Sequence, residues 1–218
     1  MKIPLAALVL AVLSASFALT GCGGGAKSDA PVAAAPAPTP TQGAVPWPAP
    51  PNPLRLTVAA GLQPERKENF TNHVHAHLDV FVNGVPVVVP AGIGINTDDP
   101  GVKTLKAEDG STGYGRIDLC KKPCISPLHT HFTDGILHTE SAVAVPNTLG
   151  QFFTQWDVRL SPSCVGGYCH PTSVQIFLDG KGYDGDPRTI ELTHHREIAI
   201  VIGTPPAEIP FTADFANA

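Results

Sequence analysis

At 218 residues the chain is long enough for one domain or two small ones. It is 43% hydrophobic and 15% charged, with formal net charge −5 and no run of Lys or Arg, a profile that excludes a nucleic-acid-binding protein. Its 23 prolines and 21 glycines, beside so few charges, point to a turn-rich protein of the α+β class that is mainly β.

Lys2 and the apolar or small run Ile3 to Leu19 predict an export signal over residues 1–21. That run is too short and wrongly flanked to span a membrane in the mature protein. Leu19-Thr20-Gly21-Cys22 resembles the lipobox of bacterial lipoproteins, over the first 22 residues only. The resemblance implies that Cys22 is lipidated, with palmitate among its acyl chains, and becomes the mature N-terminus. The protein would then sit in the cell envelope, membrane-anchored and extracytoplasmic. Gly23 rather than Asp follows the cysteine, which implies the outer membrane where the cell has one. An ordinary secretory signal that happens to carry a cysteine is the alternative.

Residues 22–53 read as a Pro/Ala-rich tether that buries too little apolar surface to fold and stays semi-extended. Trp47 lies within it, either docked or loose. A single β-rich domain is expected over residues 54–212, with a split into two subdomains near 145 left open. Val74 to Val82 alternates, with His73, His75, His77 and Asp79 on the face opposite Val74, Ala76, Leu78 and Val80. Asn83-Gly84 turns the chain into Val85 to Val89, which Pro86 and Pro90 demote towards an edge. Residues 91–118 read as loops with one short strand at most.

Asp134-Gly135 signals a two-residue hairpin turn. In that register His131 opposes His138 and His129 opposes Glu140, so the four share one face with Cβ atoms roughly 5 Å apart. Thr148 and Gln151 form a helix capping box, and Leu149, Phe152, Phe153 and Trp156 give the stripe of one short helix. A loop over 158–172, a strand over Val174 to Leu178, a turn at Asp179-Gly180, a short strand over Thr189 to Leu192 and a last strand over Glu197 to Ile202 complete the chain. Hairpin, helix and further strands in that order suggest a β-grasp-like mixed sheet. Phe81-Val82-Asn83-Gly84 and Phe177-Leu178-Asp179-Gly180 hint at an internal repeat.

Beyond Cys22, Cys120, Cys124, Cys164 and Cys169 make an even set, which in an oxidising compartment favours two disulfides over a thiolate metal site. Three pairings are open.

Among nine histidines, His129, His131 and His138 are the first candidate metal ligands, then His77 and His75, with Glu140 as ligand or as a carboxylate that orients an imidazole. Asp79 and Asp134 are alternatives for the orienting role. The site joins both rows if the 74–82 strand lies beside the 128–133 strand. His73 alone reads as solvated, His170 as loop surface, and His194 and His195 as weaker candidates. Imidazoles without thiolate suit copper, zinc or iron, copper slightly first. The one methionine, Met1, is lost with the signal, so a thioether site is excluded. Three histidines and a glutamate are chemically similar to the cupin metal set, but the spacing differs.

From Val74-His75-Ala76-His77 through Leu128-His129-Thr130-His131 and Asp134-Gly135-Ile136-Leu137-His138-Thr139-Glu140 to Glu197-Ile198-Ala199-Ile200, the chain resembles a group of uncharacterised bacterial exported proteins. The resemblance supports a single module and implies no activity. No nucleophile elbow, P-loop or dinucleotide fingerprint occurs. Three functions fit: a tethered protein that binds or delivers a divalent transition metal, a metal-dependent hydrolase or oxygenase-like enzyme, and a non-catalytic interaction module. Its protein partner is unknown.

Overall fold

Strand alternation between Asn72 and Val82 builds the longest strand, and the rest of the fold is arranged about it. The computed structural model describes residues 46–107 and 109–215. The signal segment, Cys22 and the tether as far as residue 45 lie outside the described residues. In chain order the elements are α1 (Pro53–Ala59), β1 (Asn72–Val82), β2 (Val85–Val87), β3 (Lys103–Lys106), β4 (Thr112–Gly115), β5 (Leu128–His129), β6 (Ile136–Ser141) and α2 (Leu149–Trp156). Then come β7 (Leu160–Ser161), β8 (Cys164–Val165), β9 (Tyr168–Cys169), β10 (Val174–Leu178), β11 (Lys181–Gly182), a 3-10 turn at Pro187–Thr189 and β12 (Arg196–Ile202).

The main sheet is mixed, in the order β11-β10-β12-β1-β6-β5, with β2 pairing the far end of β1. Strand β1 runs parallel to β12 and antiparallel to β6 and β2. This is the expected α+β, mainly β class, with hairpins and a helix on a mixed sheet. Because β1 joins β6 on one side to β12 on the other, the sheet runs across position 145 rather than dividing there.

One sheet face supplies Ala76, Leu78, Val80, Leu128, Leu137, Ile198 and Ile200 to the core. Leu149, Phe152, Phe153 and Trp156 of α2 cover it, as their helical spacing predicts. Thr148 and Gln151 make both bonds of the capping box. The packed body reaches back into the expected tether. Trp47 is 1% exposed, its ring 5.7 Å from that of Trp156, whose Nε1 donates to the Trp47 carbonyl at 3.0 Å. Helix α1, a second helix that no apolar stripe announced, starts with Pro53 in its first turn, where proline's missing N–H costs nothing. Buried Gln155 of α2 accepts from Thr57 Oγ1 at 2.9 Å and donates to the Leu128 carbonyl at 3.0 Å. That chain of bonds fixes β5, the shortest strand near the histidines.

Five expectations change. Asn83-Gly84 and Asp179-Gly180 are two-residue turns with both residues at positive φ, as a type I′ turn requires. At Asp134-Gly135 only Gly135, at 79°, has positive φ. Asp134 Oδ1 instead accepts from Ile136 N at 3.0 Å, and residues 130–135 form a longer connection. The pairing of β5 with β6 is therefore Leu128 with Thr139 and His129 with His138, two residues out from the expected register. Strand β1 lies beside β6, not beside the 128–133 stretch, because β6 offers six residues for pairing and β5 only two. The segment 158–172 is a small three-stranded sheet, and residues 91–118 hold the β3–β4 hairpin. Thr189 to Leu192 is not a strand; the 3-10 turn occupies its start, capped by Asp186.

Of the three possible pairings, the cysteines adopt the two local ones, Cys120–Cys124 and Cys164–Cys169. The first lies in a second apolar cluster with Ile95, Val102, Ile117 and Ile125, under the 91–125 excursion. Trp47→Ala should lower unfolding free energy by about 3–5 kcal/mol in urea titration, the cost of removing a buried indole. A loss below 1 kcal/mol would mean that Trp47 is not part of the core.

Candidate metal centre

The sheet register lines up three imidazoles. His75 of β1 opposes His138 of β6, and His138 opposes His129 of β5. One step along, His73 opposes Glu140. All lie on the face turned away from the aromatic core, since Ala76, Leu128 and Leu137 point the other way. The rings of His129 and His138 are stacked, with centroids 5.5 Å apart; those of His75 and His138 meet edge to face at 4.5 Å.

His131 joins this row from the connection after β5. Its neighbour Thr130 is held on all sides: Thr130 N donates to the Ile93 carbonyl, its hydroxyl to the Pro90 carbonyl, and its own carbonyl accepts from Gly92 N. These bonds draw the chain away from β6 and explain the lost hairpin register. Tyr114 N then donates to the His131 carbonyl at 3.0 Å, and His131 Nδ1 donates back to the Tyr114 carbonyl.

The tautomers follow from these partners. A carbonyl oxygen only accepts, so a ring nitrogen bonded to one carries hydrogen. His131 Nδ1 faces the Tyr114 carbonyl, and His129 Nδ1 donates to the Ser126 carbonyl at 2.9 Å. In the neutral rings both Nε2 atoms are bare lone pairs, and they face each other at 3.1 Å. Glu140 Oε1 lies 3.9 Å from each Nε2 and 3.5 Å from His138 Nδ1. Nitrogen donors about 2.0–2.1 Å from a tetrahedral zinc stand roughly 3.4 Å apart. The observed separations bracket that value. His138 Nδ1 and Glu140 Oε2 are, moreover, buried polar atoms with no hydrogen-bond partner. Such atoms are costly unless something else satisfies them.

One donor atom each from His129, His131, His138 and Glu140 lies within 4.8 Å of the other three, and the same holds for His73, His75 and His138. His73 therefore belongs to a cluster rather than to solvent alone, although its ring is exposed. His77 stands apart from both groups. Its Nδ1 meets Glu197 Oε2 at 3.0 Å and its Nε2 donates to the Asp134 carbonyl at 3.0 Å, so both nitrogens are engaged. It clamps the Gly135 turn to the sheet; a Cβ added at Gly135 would come within 2.8 Å of its Nε2. Asp79 Oδ2 lies 3.7 Å from His77, and neither Asp79 nor Asp134 hydrogen-bonds a ring of the main cluster. His170, His194 and His195 are exposed; the last two stack on each other, with His195 also against Phe215. All four of these cysteines are in disulfides, so none offers a thiolate.

Sequence reasoning missed Glu68, whose Oε1 lies 3.7 Å from His131 Nε2 and whose Oε2 accepts from Ile117 N. It also missed the Ser126 and Tyr114 carbonyls. Backbone partners carry no residue signature, and Glu68 stands in no motif. The cluster opens on a cleft of about 210 Å³ whose lining includes Phe70, Phe132, Arg116, Glu68, His131 and His138.

Charge is unevenly distributed among the rings. Burial and the neighbouring His131 push His129 well below the ordinary histidine value of 6.5. Burial, then His138 and His73, lowers His75 to about 4. Burial also lowers His138, with His131 adding to it against the pull of Glu140. For His131 burial again opposes charge, but Glu140, the Tyr114 carbonyl and Glu68 outweigh it and raise the value. Burial likewise opposes charge on Glu140, yet the imidazoles of His131, His138 and His129 hold its carboxyl well below the usual range. At neutral pH Glu140 is thus ionised and His75, His129 and His138 are neutral, as metal ligation needs, whereas His131 holds its proton more tightly and must release it to ligate.

Set against family models, curated proteins and solved structures, the chain matches none.

The lowered rings fix the sign of the acid response. Between their folded values and about 6.5, the unfolded chain binds protons at His75, His129 and His138 that the folded chain does not. Their contribution is lost as pH falls through that window. His131 acts oppositely, its contribution being lost only as pH rises through its raised value. Urea midpoints of the metal-free protein should therefore fall between pH 6.5 and 4, and His75→Asn should flatten the fall. A midpoint independent of pH in that range would contradict this electrostatic picture.

Proposed function

We propose that the protein is a membrane-tethered, extracytoplasmic lipoprotein that binds or delivers a divalent transition metal through His129, His131, His138 and Glu140. The observation that carries this reading is the pair of Nε2 lone pairs facing each other at 3.1 Å, each ring fixed by a backbone carbonyl. Two lone pairs at that distance repel, and a cation between them turns the repulsion into ligation. A proton shared between the rings is the other solution. It leaves His138 Nδ1 and Glu140 Oε2 without partners, whereas a metal can engage the whole set.

Three imidazoles and a carboxylate suit copper or zinc, and iron as well. The Ser126 and Tyr114 carbonyls orient the ligand rings and, by accepting their N–H, raise their basicity. The export signal and Cys22 support the envelope address, and the two disulfides favour an oxidising compartment. A second reading, a metal-dependent enzyme, draws on the cleft of about 210 Å³ that leads from solvent to His131, His138 and Glu140. An exchangeable water on the bound metal would favour it over simple binding.

Metal content of the full chain, dialysed against zinc or copper(II), is expected to reach at least one equivalent and to fall sharply in the His129→Ala, His131→Ala protein. Glu140→Gln should weaken binding about 10–100-fold. Metal at 100 times its Kd should add about 2.7 kcal/mol to stability. An unchanged melting temperature with metal or chelator, together with equal metal content in the double variant, would overturn the proposal.

A further inference from the structure

His138 occupies the middle of the transverse row, with His75 on one side and His129 on the other. It is also the residue that belongs to both donor groups. We propose that the centre holds two metal ions side by side, the second ligated by His73, His75 and His138, with His138 common to both. This rests on the metal-binding reading of the first group and extends it to a paired centre.

Four observations support it. His73 and His75 turn their Nε2 atoms towards each other at 2.8 Å, repeating the arrangement of His129 and His131 across the sheet. Their rings meet edge to face, with centroids 4.4 Å apart. His75 is buried against His138, while His73 lines the mouth of the cleft, so an ion has a path in. Glu140 Oε1 lies 3.3 Å from His73 Nε2 as well as 3.5 Å from His138 Nδ1, so one carboxylate faces both groups and offsets the charge of two cations. A neutral imidazole has one lone pair, but a ring that releases its N–H proton to solvent as metal binds becomes an imidazolate with a lone pair on each nitrogen, and so can serve two ions at once. Placement in the centre of three adjacent strands gives His138 that position, and no other histidine among the described residues has a ring neighbour on both sides of it in the sheet.

The paired centre also narrows what the site does. Two ions across one imidazole, open to a cleft through His73 and His131, suit chemistry or transfer in which one ion is held deep and the other exchanges. The deep ion is the one on His129, which is fully buried; the exchangeable one is at His73, which is exposed.

The test is a copper(II) titration of the full chain, with bound metal counted after gel filtration and the loaded protein examined by electron paramagnetic resonance. The wild type should bind two equivalents, and the His73→Gln, His75→Gln protein one. The doubly loaded wild type should show a spin-coupled pair with a half-field signal, which the one-equivalent protein lacks. The spectroscopic arm needs no variant, so misfolding of the double variant does not blunt it. One equivalent in the wild type, unchanged by the His73 and His75 substitutions but lost with His129→Ala, would overturn the second ion and leave the first. Two equivalents with independent, uncoupled signals would overturn the sharing of His138. No bound metal at all would remove both readings together.

Discussion

Two imidazole nitrogens held 3.1 Å apart, each with its ring hydrogen committed to a backbone carbonyl, are the constraint on which the rest turns. Left alone, that contact is unfavourable. The fold nevertheless commits many bonds to it. Thr130 is tied to four backbone groups, on Pro90, Gly92 and Ile93, so that His131 leaves the strand at the right place. Tyr114 grips His131 through both backbone and ring, and Gln155 anchors the carbonyl of Leu128 beside His129. A merely polar, solvated strand face needs none of this. Donors held in place in this way could take up a metal at little cost, because preorganised groups lose little freedom when they bind.

The sheet makes the arrangement affordable. Its other face buries Leu78, Leu128, Leu137 and the aromatic side of α2 against Trp47, so the histidine row is not needed for the core. The register that aligns the apolar residues on one face necessarily aligns His75, His138 and His129 on the other, since side chains alternate with a period of two. Beyond β5, the 91–125 excursion closes over its own apolar cluster and disulfide and delivers the Tyr114 carbonyl to the site. The result is an unusual burial of polar groups: His129 and Glu140 are almost inaccessible, yet His131 and His73 remain at a cleft.

His77 shows how finely position divides roles within one strand. It shares the face and the residue type of His75, two places away. It pairs opposite Ile136 rather than His138, and so meets Glu197 and the Asp134 carbonyl in place of other imidazoles. There it braces the turn that precedes β6. The same side chain is a candidate ligand at one register position and a structural clamp at the next.

Much was legible from residue order. The alternation of β1, the capping box and stripe of α2, the two Asx-Gly hairpins and β10 all follow from local periodicity and turn chemistry, which depend on neighbours in sequence. The gathering of His129, His131, His138 and Glu140 was legible in outline because three of the four sit on short stretches that share a face. What tertiary structure decided was which strand lay beside which. An Asp-Gly pair cannot reveal that Thr130 will be pulled away by Pro90, Gly92 and Ile93, forty residues earlier, nor that β6 will outcompete β5 for β1 by offering more backbone to pair. Sequence alone thus determined the kinds of donor and the face they share. Only long-range hydrogen bonding determined the row in which they stand and the carbonyls that aim them, because those partners are backbone atoms that every residue possesses.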